Sequence, residues 1–411
     1  MKNNLIIAAL LGIIWAGCTV SGRDKHPDTL SPTLAYTDPA STANFEKYHD
    51  LVADFMKANL LQRGFNGAIL VAKDSTVVYE NYHGRIDLRK KDSIHEHTAF
   101  HIASTSKTMT GMAMLQLVEQ GLVKLDQPME EFFPGFPYPG VTVRLLLTHR
   151  SGIPNYLYFL EKGKWNKQIR ISNQGVLDAL YSMKPGKESR PNSRFSYCNT
   201  NYVLLALIIE KVSGQPFPVY MKEKIFTPLG MTDTYVYTPD METTVTPSFQ
   251  YNGALWRLDF ADDTYGDKNI YSTPSDLLKW SLAVHGKEVV KDSMLQLALT
   301  PHSLERPSMH NYGLGWRMIT LPNKKTVYYH NGRWHGNNSA FAYLPEEKVT
   351  IIIVGNKYNS NIYRTARKAY DIFGQYLQDN EEDAGEESLM VQAEEKPGNM
   401  GSPAPLVAKK D

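Results

Sequence analysis

Ser104 and Lys107 stand three residues apart in Phe100-His-Ile-Ala-Ser-Thr-Ser-Lys-Thr-Met109, at the mouth of an apolar run that continues to Gly121. Met109, Met112, Ala113 and Leu117 recur at helical spacing, which predicts a helix from Ser104 onward with the polar residues in its first turn. Residues three apart on a helix share a face. A serine in that position gains three things. The positive helix N-terminus stabilises a developing alkoxide or oxyanion. The serine's own backbone N–H has no partner within the helix and is free to donate. An amine is within reach, and an amine buried beside polar groups loses affinity for its proton and can take one from a hydroxyl. The plain alternative is a serine N-cap beside a solvated lysine. Ser-x-x-Lys is common on its own, so the weight falls on what accompanies it.

Two further stretches have the right chemistry. Tyr197 and Asn199, in Phe195-Ser-Tyr-Cys-Asn199, lie two apart in an extended loop and can point to the same side. A tyrosine beside cations can shuttle a proton, and an asparagine can bridge a lysine and a substrate carbonyl. His330-Asn-Gly-Arg333 ends a strand, with a donor side chain at His330 and close backbone approach at Gly332. Acyl transfer by serine needs a base or shuttle, an orienting group and oxyanion donors, and these three stretches supply those types. Other polar residues carry less. His95-Glu96-His97 lacks the His-Glu-x-x-His spacing and reads as a loop, so no metal is expected. His149 sits in a turn as a hydrogen-bonded structural residue. Cys198 points away from its two neighbours and fills the core.

The elements that must position these residues are legible in part. Residues 19–44, rich in Ser, Thr, Pro and Asp, read as a tether. Leu51, Val52, Phe55 and Met56 predict a helix over Phe45–Leu61. Gly67–Ala72 and Thr76–Tyr79 flank Lys73-Asp-Ser75 as a hairpin. Residues 122–138 read as a loop with a short helix, and 146–156 run into an aromatic turn in which Tyr156 is a candidate substrate contact. Helices are expected over Asn201–Val212, stopped at Ser213-Gly214, and over Ser275–Val284 behind Thr273-Pro274. Thr326–His330, Ser339–Leu344 and Val349–Val354 are strand-like, and Ile362–Leu377 a closing amphipathic helix. Strands at both ends with helices between them predict an α+β fold, one antiparallel sheet made from both termini with a helical region inserted.

Composition bounds the function. A chain of 411 residues with net charge +1 gives no argument for nucleic acid or an anionic surface. Two cysteines, Cys18 and Cys198, are too few for a disulfide scaffold. Met1-Lys2 followed by an apolar run from Leu5 to Ala16 has the form of a secretory signal over residues 1–18, too short for a good membrane span. Residues 379–411 are acidic, then Gly/Pro/Ala-rich, and read as a disordered tail.

In chain order, Ser-x-x-Lys, Tyr-x-Asn and His-x-Gly resemble the pattern of the serine β-lactamases and penicillin-recognising DD-peptidases, in the branch similar to class C. Leu-Leu-Thr-His-Arg-Ser-Gly-Ile-Pro-Asn-Tyr (146–156), Pro-Leu-Gly-Met (228–231), Tyr-Ser-Thr-Pro-Ser-Asp-Leu (271–277) and Tyr-Gly-Leu-Gly-Trp (312–316) look like the same branch. The resemblance covers residues 45–378 and implies a two-lobed β-lactamase/transpeptidase-like fold with the site between an antiparallel sheet and a mostly helical lobe. It implies Ser104 as the acylated nucleophile, Lys107 and Tyr197 as general base and proton relay, and Asn199 as positioner of Lys107 and the substrate amide. His330 would replace the usual lysine, and the backbone N–H groups of Ser104 and Arg333, beside Gly332, would form the oxyanion hole. Arg333, often a small residue in relatives, would narrow the cleft or recruit a carboxylate. The activity implied is hydrolysis of D-amino-acid peptides or β-lactam amides without a cofactor. A promiscuous carboxylesterase and a penicillin-binding sensor that acylates once are the alternatives. Ile14-Trp-Ala-Gly-Cys18 resembles a lipoprotein lipobox, which implies an exported protein in the periplasm or cell envelope. It would touch a membrane only through a lipid on Cys18.

Overall fold

A computed structural model describes residues 39–376. Cys18, the expected signal and the expected acidic tail lie outside the described residues. The first helix, α1 (Pro39–Asn59), starts upstream of the expected Phe45 and takes in the end of the expected tether. Proline is well accommodated in a first helical turn, where its missing N–H costs nothing.

Both ends of the chain build one antiparallel sheet of seven strands, in the order β2-β1-β10-β9-β8-β7-β6. Its strands are β1 (Gly67–Lys73), β2 (Thr76–His83), β6 (His310–Tyr312), β7 (Arg317–Thr320), β8 (Thr326–Trp334), β9 (Asn337–Leu344) and β10 (Val349–Gly355). A small second sheet pairs β3 (Phe100–His101) and β4 (Tyr235–Val236) on either side of β5 (Ile270–Ser272). Strands β1 and β10 are apolar on both faces because both faces are covered. Ile69, Val71, Ile351 and Ile353 pack with Val52 and Met56 of α1 and with Ile362 and Ala366 of α11 (Asn361–Lys368). Their alternating neighbours Ala68, Leu70, Ile352 and Val354 face the larger core.

That larger core holds the helices between the strands. They are α2 (Ser106–Glu119), α3 (Met129–Phe132), α4 (Val143–Leu147), α5 (Tyr156–Lys162), α6 (Asn173–Met183), α7 (Asn199–Ser213), α8 (Phe217–Met221), α9 (Pro274–His285) and α10 (Asp292–Ala298). Residues 106–115 of α2 and 200–209 of α7 are buried all round, so these two helices form the interior of the helical lobe. Helix α9 starts where Thr273 Oγ1 accepts from the Asp276 N–H at 3.2 Å, with Pro274 behind it. The closing helix is shorter than expected: α11 gives way to a 3₁₀ turn at Ala369–Ile372.

Two local departures matter for chemistry. The α-helix begins at Ser106, and Ser104 lies in a tight 3₁₀ turn over Ala103–Thr105. Strand β8 does not end at His330 but runs on to Trp334, because Gly332 and Arg333 pair with Ser339 and Asn338 of β9.

Candidate active site

The turn that carries Ser104 is held in an unusual backbone shape. Ala103 has φ of 47°, a left-handed value that a side chain disfavours, and it turns the chain from β3 into α2. Thr105 stitches the turn to the sheet, donating to the His330 carbonyl at 3.0 Å and meeting Ser339 Oγ at 2.8 Å. Ser339 Oγ in turn donates to the Ile102 carbonyl at 2.6 Å. Gly332 lies directly against this turn. A Cβ on it would come within 2.4 Å of Ile102 O and 2.8 Å of Ser104 N. The two backbone segments that an oxyanion hole would draw on are therefore adjacent, and only glycine permits that approach.

Lys107 is fully buried, and its Nζ lies 2.8 Å from Ser104 Oγ and 2.7 Å from the Asp267 carbonyl oxygen. The helical spacing makes the first contact and the loop before β5 makes the second. Lys107 Nζ also lies 5.0 Å from the centre of the Tyr197 ring, and the Arg317 guanidinium carbon lies 4.9 Å from it. Positive charge against that ring stabilises negative charge developing on its oxygen. Asn199 opens α7, two residues on, rather than standing in an extended loop, and its Oδ1 is buried with no hydrogen-bond partner among the described residues. That oxygen can accept from an amide N–H brought by a substrate.

His330 is brought to the site, but not as a stand-in for a lysine's charge. Burial, and then the charges of Arg317 and Lys107, hold its pKa well below the usual histidine value, so the ring is neutral. Its Nδ1 donates to the Asn331 carbonyl at 2.7 Å, which leaves Nε2 to accept from Tyr312 Oη at 3.2 Å. The cation comes instead from Arg317, on the neighbouring strand opposite Tyr329. Arg317 was missed in the sequence, although a charged residue directly after Tyr-Gly-Leu-Gly-Trp, inside an apolar strand, is a signal of a buried charge with a task.

The remaining candidates divide. Arg333 turns its guanidinium over the Tyr358 ring at 4.7 Å, so its side chain is engaged with the loop after β10. Tyr156 does not reach the cleft. It is fully buried, its hydroxyl 3.0 Å from Asp267 Oδ2, 2.8 Å from Thr264 Oγ1 and 2.7 Å from Lys268 Nζ. Tyr156, expected as a substrate contact, is instead packed behind the lysine's anchor. His149 is structural, as expected: Nδ1 accepts from the Cys198 N–H at 3.1 Å, and its ring lies 4.2 Å from that of Tyr197. Cys198 is buried, and burial pushes its thiol up to about 11.

Among the described residues, one group of side chains could share a metal ion: Asp259, Asp262 and His335, with ligand atoms within 4.8 Å of one another. His335 Nε2 already sits 3.0 Å from both Asp262 oxygens, and Trp334 Nε1 donates to Oδ1 at 2.6 Å. The arrangement is complete as an ion pair that ties the β8–β9 turn to the 259–262 loop.

The family model described as Beta-lactamase matches residues 49–374. The chain belongs to this family, whose members are serine hydrolases. Penicillin-binding protein 4* of Bacillus subtilis is 30% identical over 322 residues, which cover 74% of this chain and 70% of that one. Among solved structures, a penicillin-binding protein from Bacillus halodurans shares the β-lactamase-like fold with a TM-score of 0.68, 24% identity and coverage of 78% of this chain and 98% of its own. The D-amino acid amidase of Ochrobactrum anthropi SV3, complexed with D-phenylalanine, shares it with a TM-score of 0.64, 22% identity and coverage of 82% and 99%.

Proposed function

We propose that this family member is an acyl-enzyme hydrolase acting through Ser104, with D-amino-acid peptides or β-lactam amides as its substrate class. The observation that carries the reading is the 2.8 Å contact between Ser104 Oγ and Lys107 Nζ, beside a tyrosine faced by two cations. The substrate carbonyl oxygen lies at the backbone N–H groups of Ser104 and Arg333. Ser104 Oγ attacks the carbonyl carbon as its proton passes to the Tyr197 oxygen, whose negative charge the Lys107 and Arg317 cations stabilise. Tyr197 relays that proton to the leaving nitrogen, the C–N bond breaks, and an ester on Ser104 remains. Water then attacks the ester, its proton returns through Tyr197, and Ser104 Oγ is regenerated. Asn199 Oδ1 accepts from the substrate amide and holds the carbonyl in line. Relay groups of this kind contribute about 10²–10⁴-fold, and one oxyanion donor about 10²–10³-fold.

Intact mass tests the reading. Wild type and Ser104→Ala are incubated separately with a penicillin, a D-Ala-D-Ala peptide and a nitrophenyl ester. A penicilloyl adduct on wild type alone, with peptide cleavage, supports it. Ester turnover with neither adduct nor peptide cleavage points to a carboxylesterase. A single stoichiometric adduct without turnover points to a sensor, and no Ser104-dependent change with any of them overturns the assignment.

We also propose export and lipid attachment at Cys18, on the strength of the charged start, the short apolar run and the lipobox-like ending. Among the described residues no helix is long and apolar enough to cross a membrane. Cys18→Ser is expected to move the protein from the membrane fraction to the soluble one; unchanged fractionation rejects the anchor.

A further inference from the structure

A cavity of about 900 Å³ is lined by Tyr197, Tyr312 and Arg317 of the site, while Ser104 does not line it. The volume lies at the upper end of the roughly 300–1,000 Å³ that encloses drug-sized ligands, more than a single amino acid needs. Tyr158, Phe195, Tyr312 and Tyr329 give it aromatic walls. Arg194 and Arg306, both exposed, stand at its lining without a carboxylate partner among the described residues. Glu305, also in the lining, is paired with Arg150, which leaves Glu188 against the guanidiniums of Arg194 and Arg306. Arg150 further bonds Asn192 Oδ1 at 2.8 Å and Ser303 Oγ at 3.2 Å, so it clamps together the two loops that form the rims. The cavity is a built, net-positive, aromatic channel.

Its position says which half of a substrate enters it. Tyr197 delivers the proton to the leaving nitrogen, so the leaving half lies on the side of Tyr197, which lines the cavity. We propose that this cavity is a leaving-group subsite for the amine half of a peptide two or more residues long, apolar or aromatic in part, with a side-chain or terminal carboxylate read by Arg194 and Arg306. The proposal rests on the Ser104 reading above and deepens it: the enzyme cuts within a peptide rather than only trimming its last residue.

The test holds the acyl half constant, as acetyl-Lys-D-Ala, and varies the leaving half: D-Ala, D-Ala-Phe-Gln and D-Ala-Phe-Glu. The expected kcat/KM rises about tenfold from the first to the third, on the scale of about 1.4 kcal/mol per decade. Arg194→Gln/Arg306→Gln should collapse the ratio between the Glu and Gln peptides towards one, and added salt should lower that ratio in wild type. Phe195→Ala should lower kcat/KM for the two long peptides more than for the short one. A flat dependence on the leaving half overturns the proposal, as does a gain seen only on lengthening the acyl half. Calorimetric binding of free D-Ala-Phe-Glu to Ser104→Ala gives a readout independent of turnover. Binding no tighter than that of D-Ala alone overturns the subsite even if Ser104 acylation stands, whereas loss of acylation with binding intact overturns the Ser104 reading instead.

Discussion

At the scale of single residues, the site is defined by which groups are charged. His330 is kept neutral chiefly by its burial and secondarily by Arg317 and Lys107, so a cation at the third motif is supplied by a strand that the motif does not include. Arg317→Gln removes one of the lesser causes. The expected outcome is a rise in the His330 pKa that still leaves it below the ordinary histidine value, read by NMR titration of the ring, together with slower acylation in single-turnover assays. Lys107→Met and Tyr197→Phe should each lower the acylation rate by about a hundred- to ten-thousand-fold while circular dichroism stays native. A loss below tenfold in either would mean that the proton moves by another route. Ser104 and Lys107 were legible because their spacing follows from local geometry, and Tyr197 through the resemblance that its motif carries. Arg317 and the Asp267 carbonyl were not, because each reaches the site through strand or loop packing across more than a hundred residues of chain.

At the scale of elements, the decisive contact is between the 3₁₀ turn at Ala103–Thr105 and strand β8. A Cβ at Gly332 has nowhere to go: Ile102 O, Ser339 Oγ and Ser104 N would lie within 2.4, 2.6 and 2.8 Å. Gly332→Ala should therefore push β8 from the turn, lower acylation at least a hundredfold and cost about 1–3 kcal/mol of stability as an overpacking change. Denaturant melts and acylation rates of the same preparation check both effects. Thr105→Val leaves the size unchanged but deprives Ser339 Oγ and the His330 carbonyl of a partner, at an expected cost of about 1–3 kcal/mol. The hairpin β1–β2 at one edge of the sheet and the strands β8 to β10 could be read from their apolar patterns. Strands β3 to β7 could not. They are two to four residues long and owe their pairing to neighbours rather than to their own sequence.

At the scale of the whole molecule, burial of histidines couples stability to pH. Burial lowers His101 to about 4 and His285 to about 3, and holds His149 and His330 well below their usual value. In the unfolded chain each would protonate near pH 6.5. A depressed histidine favours the folded state fully above that value, and its contribution is lost as pH falls from about 6.5 towards the folded pKa. For His101 alone the full loss amounts to about 3 kcal/mol. His335 acts in the opposite sense. Burial lowers it, but Asp262 outweighs that and raises it, so its contribution is present at low pH and fades as pH rises through its folded value. Because the lowered histidines, His302 among them, outnumber the raised His335 and His97, unfolding free energy should fall between pH 7 and pH 5, and His285→Phe should flatten that slope. A slope unchanged in the variant would mean that His285 is protonated in the folded state.

What the sequence determined by itself is local or periodic. A Ser-x-x-Lys fixes two side chains on one helical turn and side of the chain, and alternating or unbroken apolar runs announce strands with one or two covered faces. The order of the three motifs, together with the resemblance they carry, was enough to place the family and the two-ended sheet. The tertiary structure decided the rest. It put Tyr156 behind the lysine rather than in the cleft, and it made His330 neutral while handing the charge to Arg317. It also carried β8 past Gly332 so that two backbones meet at Ser104. Burial and charge at a residue depend on everything packed around it, much of it distant in the chain, and no local pattern contains that sum.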